Sequence, residues 1–293
     1  MAELLVIGLG YSASAFVARH GADYRRIVAT KRAPDGSAPD GVETVAFDAE
    51  APTAEALAAV TAALQSATHL LVSAQPLAAG DPALLHFRAA IATAPRLRSI
   101  VYYSTVGVYG DHGGAVVDET AELRPDSARA RRRVAAEQAW LALGRESGKA
   151  AHVLRLAGIY GPSRNQLVKL RDGAAQRIIR DGHVFNRIHV EDVAQATAAA
   201  FRRAATEQRV WNVADDAPCG PWLPVAYAAA LLGVAPPPEI PFAQAVMSPM
   251  ARSFWSQNKR VSNRRLREEL GVALLYPTYR EGLAALAAAG EGR

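Results

Sequence analysis

A glycine-rich turn close to the start of the chain has the residue types that bind phosphate. The apolar run 4–7 is followed at once by Gly8, Gly10 and Ala13 in a G-x-G-x-x-A pattern. The first glycine permits a tight turn, the second lets a pyrophosphate approach the backbone, and the alanine lets the next helix pack closely, so that its N-terminus can bind the phosphates. A purely structural turn is the alternative interpretation. The residues predicted to contact a dinucleotide here are Gly8, Gly10, Tyr11, Ser12 and Ala13.

The end of the second predicted strand bears on the type of dinucleotide. Proteins that bind NAD place an Asp or Glu about 20 residues after the glycine motif, where it binds the ribose 2′-hydroxyl. Here the strand ends in Thr30, Lys31 and Arg32 without an acid, and cations at this point would bind the 2′-phosphate of NADP. NADP is therefore favoured over NAD, with ordinary surface cations as the alternative. Further cofactor contacts are predicted after the third and fourth strands, at Asp48, Ser73, Ala74 and Gln75.

The elements that must position these residues are short apolar runs alternating with alanine-rich helical segments. This alternation is typical of βαβ units, and it predicts a doubly wound parallel sheet (a Rossmann α/β domain) over residues 1–160 and 186–216. Residues 161–185 and 217–293 are predicted to form a smaller substrate-binding lobe, in which the proline-rich tract 218–224 lacks regular structure. The predicted strands are 4–7, 27–30, 44–47, 69–73, 100–104, 151–156 and 210–213, and the predicted helices are 12–20, 54–65, 82–93, 131–144, 262–270 and 279–288.

Composition limits the classes of protein that the chain can represent. It has 293 residues, of which 50% are hydrophobic and 21% charged, and this balance argues against disorder. The single cysteine cannot form an internal disulfide, and no Cys and His spacing suggests a metal site. No signal peptide or membrane-spanning run is evident, so a cytoplasmic protein is expected. The net charge of +5 is accompanied by no nucleic-acid-reading motif, and it would attract anionic small molecules.

Several sequence motifs, which follow one another along the chain, identify a protein family more specifically than the glycine turn does. The fifth strand continues into YSTVGVYGD at 103–111, and related segments follow at 155–162, 188–193 and 211–216. Together they resemble the extended short-chain dehydrogenase/reductases, the NAD-dependent epimerase/dehydratase family, and in particular an atypical subgroup of it. The resemblance covers nearly the whole chain. It implies the Rossmann fold, a nicotinamide cofactor and a small-molecule substrate, with a homodimer as an option.

The resemblance also implies where catalytic groups should lie, and two of them are replaced. Family members use a Tyr and a Lys four residues apart, and the register set by Glu137 puts Arg129 and Arg133 at these positions. A guanidinium stays protonated and has no acceptor, so Arg129 cannot cycle a proton as tyrosine does. Arg133 could keep the positive charge and the hydrogen bonds to the nicotinamide ribose. The candidates implied for the catalytic site are Thr105, Ser104, Arg133 and Asp81.

These candidates have different expected roles. Thr105 stands at the family's substrate-binding hydroxyl, and Asp81 lies near its helix-borne Asn, with an ordinary helix N-cap as the alternative. Arg164 and Arg187 fall where the family often binds a substrate phosphate. A replacement proton donor would have to come from Tyr103, Tyr109, Tyr160 or His112.

Two functions are compatible with this pattern. The first is an NADP-dependent oxidoreductase or epimerase, motivated by the retained Thr105 and by Arg133. The second is a non-catalytic NADP-binding sensor or regulatory protein, motivated by the loss of the Tyr–Lys pair.

Overall fold

The backbone forms a central parallel sheet with helices on both faces and small two-stranded pairs at one side. The computed structural model describes residues 2–34, 36, 38–203 and 206–293. The strands are β1 (Glu3–Ile7), β2 (Arg26–Lys31), β3 (Val42–Ala46), β4 (His69–Val72), β5 (Ser99–Thr105), β6 (Val116–Val117), β7 (Ala150–Leu156), β8 (Gly158–Tyr160), β9 (Arg177–Ile179), β10 (Arg187–His189), β11 (Gln208–Val213), β12 (Glu239–Pro241) and β13 (Arg260–Val261). The helices are α1 (Tyr11–His20), α2 (Ala54–Ser66), α3 (Pro82–Thr93), α4 (Ala128–Ser147), α5 (Gln166–Arg171), α6 (Val190–Phe201), α7 (Trp222–Leu232), α8 (Pro249–Phe254), α9 (Arg264–Glu268) and α10 (Tyr279–Ala288).

The order of the strands creates a crevice at the carboxyl edge of the sheet. The seven-stranded sheet runs β11-β7-β5-β4-β1-β2-β3, and every adjacent pair is parallel. The chain winds outward from β1 in one direction and then returns to β4 on its other side. Ligands of doubly wound sheets bind where the winding direction reverses, which here is at the ends of β1 and β4. The fold class predicted from the sequence is confirmed.

Both faces of the central strands of the sheet are buried, and for this reason these strands read as continuous apolar runs. Leu4 and Val6 belong to an apolar cluster that includes side chains of α1 and α6. Leu5 and Ile7 point to the other face, into a cluster with side chains of α2, α3 and α4. All five residues of β1 are buried, so helices cover the sheet on both sides.

One prediction about secondary structure is wrong. The tract 218–224 was expected to lack regular structure, yet α7 begins inside it at Trp222, with Pro221 as the N-cap. Pro224 lies in the first turn of this helix, where a backbone N–H has no intrahelical acceptor to lose. Proline is therefore compatible with the start of a helix, although it breaks a helix interior.

Some residues outside the large sheet form two smaller apolar clusters, whereas others, such as Val261 and Leu266, join the cluster on one face of the sheet. Three short parallel pairs, β8–β10, β9–β12 and β6–β13, connect segments that are distant in sequence. Residues of α5, α7 and α10 share one apolar cluster, centred on Leu167 and Leu283, and Trp255 packs with Ile178 in another. The pair β6–β13 attaches the C-terminal part of the chain directly to the segment that follows β5.

A buried ion pair connects α4 to the sheet beside the end of β5. Glu137 of α4 and Arg155 of β7 lie 2.7 Å apart with side chains only 3% and 5% exposed. Arg155 also donates to the Tyr109 hydroxyl at 2.9 Å, and that hydroxyl donates to Asn212 Oδ1 at 2.7 Å. This buried network fixes α4, the 3₁₀ turn Val106–Tyr109 and β11 relative to one another.

We expect Glu137→Gln to destabilise the fold strongly, because it leaves the Arg155 charge buried without its counterion. Losing one member of a buried pair costs about 3–5 kcal/mol in free energy of unfolding. Glu146→Gln on the same helix is the matched control, since Glu146 and its partner Arg88 are 61% and 43% exposed and such pairs contribute about 0–1 kcal/mol. Urea unfolding followed by circular dichroism measures both. Equal effects of the two substitutions would contradict a structural role for the buried pair.

Candidate functional site

The turn between β1 and α1 is built around a glycine that no other residue can replace without strain. Gly8 has a φ of +93°, and a Cβ added to it would lie 2.7 Å from the backbone nitrogen of Ala74. Its N–H donates to Thr30 Oγ1 at 2.9 Å. The ends of β1, β2 and β4 are therefore held in direct contact at this point.

The N-terminus of α1 is open toward the crevice. Gly10 is its N-cap with extended backbone, no side chain caps the helix, and its first turn contains no acid. A Cβ on Gly10 would meet nothing within 4 Å. The first amides of a helix have no intrahelical acceptor and favour anions, so the N–H groups of Tyr11, Ser12 and Ala13 can bind phosphate. The pyrophosphate of a dinucleotide fits this cradle.

The cations predicted to bind the adenosine ribose lie at the end of β2, directly after Thr30, which contacts the glycine turn. Thr30 is buried and its hydroxyl is used by Gly8, so it supports the turn. Lys31 is half-buried at the end of β2, and Arg32 is exposed immediately after it. Asp48 lies beyond the end of the neighbouring β3, where its Oδ1 accepts the N–H of Glu50 at 3.1 Å. The edge next to Arg32 thus presents positive charge from β2.

The residues after β4 close the crevice on the other side of the turn. The N–H groups of Ser73 and Ala74 both donate to the carbonyl of Ile7, at 2.9 and 3.1 Å. Gln75 is exposed beyond them. Ser73, Ala74 and Gln75 therefore lie next to the glycine turn, and their contact with a cofactor stays a prediction.

The two hydroxyls at the end of β5 have different surroundings. Thr105 is half-exposed and caps the 3₁₀ turn by accepting the N–H of Gly107 at 3.1 Å. Ser104 is buried and donates to Glu137 at 2.5 Å. Thr105 can therefore reach a ligand in the crevice, whereas Ser104 belongs to the buried network.

The two arginines that the resemblance assigns to the family's Tyr and Lys positions also differ. Arg129 is exposed on the first turns of α4. Arg133 is buried and donates to the Tyr102 hydroxyl at 2.9 Å and to the Tyr103 carbonyl at 2.7 Å. Because these contacts hold its guanidinium against β5, Arg133 stabilises the strand that carries Thr105.

Asp81 is the N-cap of α3 in the structure. Its Oδ1 accepts the N–H groups of Ala83 and Leu84 at 3.0 and 3.2 Å. Burial raises the pKa of this carboxyl, and the two backbone hydrogen bonds and the nearby Arg133 act in the opposite direction. The capping interpretation of Asp81 accounts for these contacts, and a role toward the substrate stays a prediction.

The proposed replacement proton donors are occupied by other contacts. The Tyr103 hydroxyl pairs with Thr197 at 2.7 Å, and the Tyr160 hydroxyl donates to the Thr278 carbonyl at 3.3 Å. Tyr109 uses its hydroxyl both as donor and as acceptor in the buried network. Burial raises the pKa of all three tyrosines. His112 lies farther along the chain, 3.2 Å from the Glu122 carbonyl.

Two features of the site were not identified from the sequence. The Tyr11 hydroxyl donates to the Pro162 carbonyl at 2.9 Å, and the Arg164 guanidinium lies 5.6 Å from the centre of the Tyr11 ring. Burial raises the Tyr11 pKa to about 12. Lys259 is a buried amine that donates to the Gly110 carbonyl and to Gln257 at 2.8 Å each, and burial lowers its pKa to about 8. Tyr11 and Pro162 are 151 residues apart and Lys259 and Gly110 are 149 apart, and no local pattern indicates such pairs.

The second anion-site candidate is Arg187 of β10. Arg187 donates to the Phe185 carbonyl at 3.1 Å and to Cys219 Sγ at 3.3 Å. Asp215 is buried close to it, and burial raises the pKa of this carboxyl to about 7.

The described residues contain no group of three or more His, Cys, Asp and Glu arranged to hold a metal ion. Among these described residues there is also no helix long and apolar enough to cross a membrane.

The comparisons with known proteins agree with this geometry. The structure superposes on a conserved protein of unknown function from Silicibacter pomeroyi with a TM-score of 0.84, at 44% identity over 99% of this chain and 100% of the other. A protein from Methylobacillus flagellatus described as an NAD-dependent epimerase/dehydratase has a TM-score of 0.75 at 25% identity, over 99% and 98% of the two chains. The dTDP-glucose 4,6-dehydratase of Bacillus anthracis, solved in complex with NAD, shares the fold with a TM-score of 0.76 at 17% identity, over 97% and 95%. No match was found among curated protein sequences.

The parallel sheet and the glycine turn are those of a Rossmann-type α/β fold. The sequence model of the NAD dependent epimerase/dehydratase family matches residues 5–214. The chain belongs to this family.

The two glycines of the turn give a matched pair of variants. We expect Gly8→Ala to destabilise the fold by about 1–3 kcal/mol, because its positive φ and its contact with Ala74 are incompatible with a Cβ. We expect Gly10→Ala to leave the unfolding midpoint almost unchanged, since its φ of −97° suits alanine and the space is open. It should nevertheless weaken dinucleotide binding by about tenfold or more, because the methyl group fills the space of the pyrophosphate.

Thermal unfolding and fluorescence titration with NADPH and NADH measure the two properties separately. If Gly10→Ala binds both nucleotides as the unmodified protein does, the turn is only structural.

Proposed function

We propose that the chain is an NADP(H)-dependent oxidoreductase or epimerase acting on a small, preferentially anionic molecule. The observation that carries the cofactor choice is the end of β2, where Lys31 and Arg32 follow Thr30 and an acid is missing. A 2′-phosphate next to an exposed guanidinium gains a charge-assisted interaction. A carboxylate at this position would instead repel it.

The residues that support chemistry lie along the carboxyl edge of the sheet. A bound nicotinamide supplies hydride transfer. Thr105 is half-exposed, and its hydroxyl would hydrogen-bond the oxygen of a carbonyl or alcohol substrate, while the buried network keeps the end of β5 in position. Val106 and Gly107 follow Thr105 in place of the Asp-Glu pair of the family's sugar dehydratases, so dehydration is disfavoured.

The second candidate function is a non-catalytic NADP-binding sensor. Its support is the exposed Arg129 at the position of the catalytic tyrosine, together with Arg133, whose guanidinium is held against β5. A chain that binds the cofactor without a proton donor would report the ratio of NADPH to NADP⁺ through its conformation.

We expect NADPH to bind at least tenfold more tightly than NADH, and Arg32→Ala to remove this preference by weakening NADPH alone. The reason is that only NADPH carries the 2′-phosphate that pairs with Arg32. Fluorescence titration of each nucleotide gives the two dissociation constants. Arg88→Ala is the control, since Arg88 is an exposed cation of α3 that pairs with Glu146 of α4. Equal affinities for the two nucleotides in the unmodified protein would exclude the NADP proposal.

The enzyme and the sensor differ in turnover. For the enzyme, a panel of small ketones, aldehydes and keto acids should include one that oxidises bound NADPH in a single turnover. Thr105→Ala should then slow that step on the order of 100-fold, because a hydrogen bond to the developing oxyanion is lost, and Thr105→Ser should retain most of the rate. If no carbonyl is reduced, while limited proteolysis distinguishes the NADPH complex from the NADP⁺ complex, the sensor is the correct function.

A further inference from the structure

The turn that follows β8 reaches across to the cofactor cradle. Gly161 and Arg164 exchange backbone hydrogen bonds at 3.1 and 3.0 Å, which closes a tight turn. Ser163 within it has a φ of 60°, the only positive φ of a non-glycine residue among those described. This turn belongs to the part of the chain predicted to form the smaller lobe, whereas the cradle belongs to the large sheet.

The turn is held from two sides. Behind it, Glu291 accepts the Ser163 N–H at 3.0 Å and the Asn165 side-chain amide at 3.1 Å. In front of it, the hydroxyl of Tyr11 donates to the Pro162 carbonyl at 2.9 Å. Tyr11 is the first residue of α1, so the turn is fixed against the helix N-terminus that would bind the pyrophosphate.

Arg164 is left by this arrangement as an exposed cation beside the cradle. Its guanidinium lies over the Tyr11 ring, 5.6 Å from the ring centre. Among the described residues no carboxylate lies within ion-pair distance of it. Glu291, the acid behind the turn, already accepts two hydrogen bonds. An arginine in this state can bind an anion with two parallel hydrogen bonds.

We propose that Arg164 binds the cofactor pyrophosphate from the side opposite to the α1 amides, so that the dinucleotide is held by both parts of the chain. The proposal rests on the proposed cofactor site but not on the preference for NADP, since the pyrophosphate is common to NADPH and NADH. It assigns Arg164 to the cofactor, although the sequence placed this residue with the substrate phosphate.

The position of Arg164 favours the pyrophosphate over the other anionic groups that an arginine could bind here. The 2′-phosphate would lie beside Arg32, which follows the end of β2, whereas Arg164 lies over the ring of Tyr11 at the start of α1. A substrate phosphate could be bound by Arg164 only when substrate is present. Arg164 contacts Tyr11, whose backbone N–H belongs to the pyrophosphate cradle, and can act before any substrate is present.

The test compares Arg164→Gln with the unmodified chain in titrations with NADPH and NADH, and in competition with adenosine 2′-monophosphate. This last probe carries the 2′-phosphate and lacks the pyrophosphate. We expect both dinucleotides to bind about tenfold or more weakly to the variant, by the same factor, and the 2′-monophosphate to bind unchanged. Arg164→Lys should recover part of the loss. Arg171→Gln, which removes another exposed arginine of the same region, should have no effect.

A second readout tests the bridge between the two parts of the chain. Hydrogen exchange of residues 161–165 should slow when NADPH binds to the unmodified protein, and Arg164→Gln should lose this protection at saturating NADPH. Matching unfolding midpoints of the two proteins show that the variant is folded.

Each alternative result has a separate meaning. A change of less than twofold for both dinucleotides overturns the proposal, as does a loss confined to NADPH and the 2′-monophosphate, which would place Arg164 at the 2′-phosphate. If the unmodified chain binds NADPH and NADH equally and Arg164→Gln weakens both, the NADP preference fails and the pyrophosphate contact stands. If neither dinucleotide binds the unmodified chain, both fail together.

Discussion

The close approach of Gly8 to Ala74 is the constraint on which the site depends. The two backbones come so near that a single methyl group would lie 2.7 Å from the nitrogen of Ala74. This contact lets β1 turn sharply into α1 while β2 and β4 stay paired on either side of β1. As a result the helix N-terminus, the cations after β2 and the loop after β4 meet at one edge. A larger residue at position 8 would displace all three. This steric constraint therefore sets the geometry of the proposed binding site.

Buried polar interactions hold the same edge of the sheet in position. Glu137 and Arg155 are buried charges that satisfy each other, and they hold Ser104 and Tyr109 on the two sides of Thr105. Buried pairs of this kind add little net stability, but they are costly to break and therefore define one arrangement. Arg133 is a further buried charge of this kind, because its hydrogen bonds to Tyr102 and Tyr103 on β5 satisfy its guanidinium. These contacts hold the end of β5, and with it Thr105, in one arrangement.

Much of the fold could be predicted from the sequence, because buried parallel strands are apolar runs and turns are marked by glycine. The predicted strands and helices differ from the observed ones mainly at their ends, as with 131–144 against Ala128–Ser147. The tract 218–224 was interpreted wrongly, because proline breaks a helix only after its first turn. The glycine turn could be located for the same local reasons. The destination of the Arg133 side chain and the approach of Arg164 to Tyr11 could not, since both depend on how distant segments pack.

The central claim, that NADP(H) binds across the ends of β1 and β2, is tested most directly by a crystal structure of the protein with NADP⁺. The account predicts the pyrophosphate within hydrogen-bond distance of the backbone N–H groups of Tyr11 and Ser12, and the 2′-phosphate within ion-pair distance of Arg32. A dinucleotide bound elsewhere, or one with its 2′-phosphate directed away from Arg32, would contradict it.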